Sequence, residues 1–98
     1  MSEPKPAWVI GHLSVKDPAR WDSYRRAVPA TLGPFGGKVL LRGKVTAVLS
    51  GDHRHTDSVV LVFPNEEAAR GWHDSAAYRA LIPLRNEAAD IDLFMVAG

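Results

Sequence analysis

The chain has 98 residues, 46% of them hydrophobic and 23% charged, and its twelve Lys and Arg against eleven Asp and Glu leave a net charge of +1. That composition suits one small globular domain with enough apolar residues for a core, and the interspersed charges exclude the basic footprint of a nucleic-acid binder. The absence of cysteine excludes disulfides, thiolate nucleophiles and cysteine-bound zinc together.

Residues 1–6, Met-Ser-Glu-Pro-Lys-Pro, read as a disordered extension ahead of a single domain over 7–98. They lack the apolar core of a signal peptide, and no run approaches the roughly 20 apolar residues of a membrane span, so a cytoplasmic protein is expected. Ala7 to Val15 reads as a first strand, with Val9, Leu13 and Val15 on one face and Trp8, Ile10, His12 and Ser14 on the other. Asp17-Pro18 then signals a helix start, since Asp satisfies an orphan N–H and Pro has none to lose. Trp21, Tyr24, Val28 and Leu32 recur at helical spacing, with Pro29 set to kink or end the helix near its last turn.

Gly33-Pro34-Phe35-Gly36-Gly37 stops that helix, and Lys38 to Leu49 reads as a second strand or bent ribbon with a bulge at Gly43. A turn over Ser50 to Thr56 leads into Val59-Val60-Leu61-Val62-Phe63, a strand with no polar face. Such a strand is covered on both sides, and a chain this short has helix enough for only one. Asn65-Glu66-Glu67 opens a helix carrying Ala68, Ala69 and Trp72, with its acids where the helix dipole favours them. Ser75 caps a further helix bearing Tyr78, Leu81, Ile82 and Arg85, with Pro83 as an interior irregularity, and Asp90 to Ala97 alternates as a last strand.

Two right-handed β-α-β crossovers give an α+β, ferredoxin-like four-stranded antiparallel sheet in order 4-1-3-2, with helices on one face. The third strand is then interior, as its two apolar sides require. Strands about 4.8 Å apart and roughly 20 Å long leave an uncovered face of about 380 Å², close to the most a monomer usually exposes. A homodimer packed sheet to sheet is therefore expected.

Asp17 with Tyr24, Gly36-Gly37, Arg42-Gly43, Phe63-Pro64 followed by Ala68-Ala69 and Trp72, then Ser75 with Tyr78 and Arg85, together resemble the family catalogued as domain of unknown function 1330. The resemblance covers nearly the whole chain from Trp8 onward. It implies a ferredoxin-like subunit pairing as a dimeric α+β barrel, with no established activity. Departures are small: Asn65 stands where Ser is more usual, Ala76 where Pro is usual, and the Asp52 to Asp57 turn is rich in histidine. The wider barrel group includes cofactor-free monooxygenases and isomerases, with ligands held between helices and sheet.

Five polar residues are candidates for function. Arg85 lies on the inward stripe of its helix, where a guanidinium serves either as an anion receptor or as a structural clamp on carbonyls or a carboxylate such as Asp17. Tyr24 and Tyr78 bring hydroxyls toward the same cleft, or simply find core partners. His12, mid-strand among apolar neighbours, reads as the one interior histidine and as a general base or a hydrogen-bonded core residue. Arg42 reaches either a cavity or a dimer seam.

His53 and His55, flanked by Asp52 and Asp57, have the spacing for two nitrogen ligands, yet the segment is a turn with no third histidine at ligand spacing. No metal site and no cofactor is assigned. Two functions follow. One is a dimer binding a small organic or anionic ligand through Tyr24, Arg42 and Arg85. The other is a cofactor-independent monooxygenase or isomerase acting on a small carbonyl or aromatic substrate, with His12 or Tyr78 moving the proton and Arg85 or Arg42 holding an oxyanion.

Overall fold

The computed structural model describes residues 5–98. Of the expected disordered extension, positions 1–4 lie outside the described residues, while Lys5 and Pro6 are exposed and precede the first strand. Strand β1 spans Ala7–Val15, helix α1 Pro18–Leu32, β2 Lys38–Lys44, β3 Asp57–Phe63, α2 Glu66–Asp74, α3 Ala76–Arg79, α4 Ile82–Ala88 and β4 Ala89–Ala97. The strands form one antiparallel sheet in the order β2-β3-β1-β4. This is the ferredoxin-like α+β arrangement, with β1 and β3 interior.

Local chemistry accounts for each helix start. Asp17 accepts a hydrogen bond from the Arg20 amide at 3.1 Å, Asn65 from the Ala68 amide at 2.7 Å and Ser75 from the Tyr78 amide at 3.2 Å, each satisfying a donor that the first turn cannot. Pro29 does not stop α1, which runs on to Leu32 and tightens into a 3₁₀ turn over Gly33–Phe35. Gly36 follows in the left-handed region at φ 68°. At Gly37 a Cβ would lie 2.5 Å from a ring carbon of Phe63, so a side chain there has no room.

Three expectations are corrected. The second strand ends at Lys44 and not at Leu49, because its partner β3 begins at Asp57, and beyond that point the Thr56 amide donates to the carbonyl of Leu13 on β1. The irregularity in β2 falls between Val39 and Leu41, while Gly43 pairs regularly with Ser58. Pro83 is not interior to one helix: the helix ends at Arg79, and Pro83 lies in the first turn of α4, where its missing N–H costs nothing.

The register sorts the sheet into two faces. Val9, Leu61 and Met95 form one row toward the helices, and Trp8, Val62 and Val96 form the neighbouring row on the uncovered side. The core beneath the helices holds Ala7, Val9, Tyr24, Val28, Leu32, Leu61, Phe63, Ala69, Trp72 and Tyr78. Trp72 is only 1% exposed, packs its ring against Tyr78 and Phe63, and donates its indole N–H to the Thr31 hydroxyl at 2.9 Å. Trp21, on the same helical stripe as Tyr24 and Val28, is only partly buried and borders a cleft. Truncating Trp72→Ala removes the ring that packs on Phe63 and Tyr78 and should lower stability by about 3 to 5 kcal/mol, measured as a large fall in melting temperature by circular dichroism.

Candidate functional site

Five polar residues singled out by the sequence separate onto two sides of the sheet. On the helix side, Tyr24 of α1, Tyr78 of α3 and Arg85 of α4 meet. The two phenol oxygens are 2.8 Å apart, and the Arg85 guanidinium donates to the Tyr78 oxygen at 3.0 Å and to the Asn86 side-chain oxygen at 3.3 Å. Tyr78 has no exposed surface and Tyr24 is 6% exposed. Because the Tyr78 oxygen accepts from Arg85, its own hydroxyl is free to donate to Tyr24. Arg85 therefore has protein partners, and they are not the ones expected: Asp17 is engaged instead by the side chain and amide of Arg20.

Burial, reinforced by the neighbouring Tyr78 hydroxyl, pushes the Tyr24 phenol far above the ordinary tyrosine range, with Arg85 opposing the shift only weakly. Tyr24 thus remains protonated in the folded state while the unfolded chain ionises near pH 10. Its contribution to stability is intact below that pH and declines as pH rises above it, where the unfolded state binds fewer protons. Thermal melts between pH 8 and 11 should show an alkaline loss of stability that is markedly reduced in Tyr24→Phe.

Arg42 takes a different place. On β2 it sits level with Val59, on the helix side, and borders a narrow apolar cleft of about 40 Å³ shared with Trp21, Tyr24, Val39 and Trp72. A wider hollow of about 190 Å³ continues outward past Trp21, Arg25, Arg42 and Lys44. Arg25 is held by Asp22. Arg42 is exposed, and none of the described residues supplies it with an ion-pair or hydrogen-bond partner.

His12 lies on the other face, in register with Ser58 and Asp92. It is only partly buried; the buried histidine is His55, at 5% exposure, which the sequence had placed in an open turn. The segment between β2 and β3 folds back so that His53 approaches His12, with 2.6 Å between ring nitrogens, while His55 bonds Asp92 at 2.8 Å and Ser14 at 3.1 Å. The hydrogen bond from His55, helped by Arg54, holds the Asp92 carboxyl below the usual carboxylate range. His53 and His55 are bonded to different partners, and no three metal-ligating side chains converge among the described residues. Ser14 and Asp92 escaped the sequence reading, since only the β1–β4 register puts Asp92 beside His12.

The arrangement is that of a ferredoxin-like α+β protein with a small cleft between helices and sheet. The chain belongs to the family described as domain of unknown function DUF1330, whose model matches residues 6–98. No curated protein matches it. Among solved structures it is similar to the RPA0582 protein of unknown function from Rhodopseudomonas palustris, with a TM-score of 0.80 and 17% identity over 98% of this chain and 84% of that one. It is also similar to a dimeric ferredoxin-like protein of unknown function from Thermobifida fusca, at a TM-score of 0.66 and 16% identity over 100% and 95% of the two chains. SnoaB, a cofactor-independent oxygenase from Streptomyces nogalater, aligns at a TM-score of 0.68 and 10% identity over 96% and 93%. At these identities the likeness is one of fold.

Proposed function

We propose that the protein works as a homodimer that binds a small organic anion in the cleft between α1 and the sheet. The observation that carries the binding site is Arg42, a guanidinium with no partner among the described residues, at the rim of an apolar slot walled by Trp21, Tyr24 and Trp72. A free cation beside aromatic walls suits a carboxylate on a short aromatic or aliphatic body. The cleft of about 40 Å³ with its outer hollow of about 190 Å³ is small beside the 300 to 1,000 Å³ of typical ligand pockets. The ligand is accordingly small.

An enzyme of the monooxygenase or isomerase kind is less well supported in this cleft, because its proton-transfer candidates are withdrawn from it. His12 is on the far face of the sheet, Tyr78 is fully buried, and Tyr24 holds its proton too firmly to act near neutrality. Arg85 contributes by fixing the tyrosine pair from behind. Titrating the protein with benzoate and short alkyl carboxylates while following tryptophan fluorescence should reveal saturable binding, abolished in Arg42→Gln without a change in melting temperature. Equal affinity in the two proteins would remove Arg42 from the site.

Dimerisation is supported by the uncovered sheet face, where Trp8, Ile10, Leu41, Val60, Val62, Phe94 and Val96 lie together in two adjoining rows. Leu41 on one edge strand is 51% exposed, and Phe94 and Val96 on the other are each 44% exposed, high for large apolar side chains in the middle of a strand. Fold relatives are described as dimeric ferredoxin-like proteins. Packing two such faces together would give the dimeric α+β barrel and bury on the order of 800 Å² per partner. No helix of the described residues is long and apolar enough to cross a membrane, and we place the dimer in the cytoplasm, as a cysteine-free chain suggests. Light scattering at micromolar concentration should give twice the chain mass for the wild type and the chain mass for Ile10→Asp.

A further inference from the structure

On the uncovered face, beyond the apolar rows, the segment between β2 and β3 encloses an open hollow of about 320 Å³ lined by His12, Asp52, His53, Arg54, His55 and Asp92. A chain of hydrogen bonds fixes the protons in it. The Asp92 carboxylate accepts from the His55 Nε2–H, so His55 Nδ1 carries a lone pair that accepts from the Ser14 hydroxyl. Clamped in this way, His55 offers its backbone carbonyl to His53 Nδ1 at 3.0 Å. A carbonyl only accepts, so Nδ1 is the protonated nitrogen of neutral His53 and its Nε2 holds the lone pair. That lone pair faces His12 Nδ1 at 2.6 Å, and His12 must therefore be the donor.

One nitrogen is left over. Nε2 of His12 has a lone pair and no hydrogen bond, and no buried side-chain nitrogen or oxygen of the described residues is without a partner, so this atom meets solvent. Phe94 packs edge-on against the ring, with centroids 5.3 Å apart, and limits its rotation. The sheet thus presents an imidazole of one tautomer, oriented from behind by a proton acceptor, at the edge of a hollow that also contains the cation Arg54.

We infer that His12 is a nucleophile for small acyl donors such as activated esters, with His53 as its proton acceptor and Ser14, His55 and Asp92 as positioning residues. This site is separate from the Arg42 cleft, which lies on the opposite face. Nε2 attacks the acyl carbon, the ester C–O bond breaks, and the alcoholate leaves with the bonding pair while the Nδ1 proton passes to His53 Nε2. One water then hydrolyses the acylimidazole to the carboxylic acid and restores the Nδ1–H, and His53 returns its proton to the alcoholate through solvent. No oxidant, metal or cofactor enters the balance.

With p-nitrophenyl acetate as the probe, the wild-type protein should release p-nitrophenolate catalytically, well above the rate of free imidazole at the same concentration. His12→Gln should reduce release to the level of the free amino acid mixture. His53→Phe, which keeps His12 but removes its proton acceptor, should slow release by about 100-fold. Independently of any variant, diethyl pyrocarbonate followed by peptide mass spectrometry should modify His12 of the wild-type protein ahead of His73, whose side chain is 48% exposed but has no such relay. Wild-type rates in His12→Gln, or modification of His73 first, would overturn the assignment and leave the histidines as a clamp for the segment.

Discussion

The sheet has two apolar faces and a single layer of helices, and the rest of the molecule is arranged around that imbalance. β1 and β3 occupy the interior positions because each carries apolar residues on both sides, and an interior strand is the only kind that can use both. Toward the helices the imbalance is resolved by Trp72, whose ring fills the space between Phe63 and Tyr78 and whose N–H is satisfied by Thr31. Away from the helices it is unresolved within one chain over the rows containing Trp8 and Ile10. One row further along β1, polar His12 takes over, and the chain's own segment between β2 and β3 supplies the cover.

Burial decides which polar groups can act. Tyr24 and Tyr78 are so far inside that their hydroxyls are useful only to each other and to Arg85, and the energy of that interaction lies in avoiding an unpaired buried oxygen. The half-buried Arg85 carries its charge to the edge of the core and no further. Arg42, by contrast, has an apolar wall on one side and solvent on the other, the environment in which a guanidinium retains its capacity for an incoming anion. On the opposite face, His55 is buried but paired at both nitrogens, whereas His12 is paired at one.

Much of this was legible in the residues. The Asp17, Asn65 and Ser75 caps, the extent of β1, the double-sided strand Val59 to Phe63 and the strand order all follow from capping chemistry and from periods of 2 and 3.6, which act over a few residues. The candidate site was legible only as a set of residue types. Nothing in His12, Tyr24, Arg42, Tyr78 and Arg85 as residue types separated them, and the fold distributes them between two faces, because strand alternation sends His12 away from the helices while Arg42 faces them.

What the sequence determined by itself is the helix starts, the order of the strands and the burial of one face, since backbone propensity, capping and apolar spacing are local or nearly so. Only the tertiary structure decided where β2 stops, that Arg85 bonds Tyr78 and not Asp17, and that a turn rich in histidine folds onto His12 and Asp92. Those contacts join residues about forty or more positions apart, or depend on which of two nearby carboxylates and hydroxyls wins a donor. Register and packing geometry settle such competitions at the scale of an ångström, and no pattern in the order of residues carries that information.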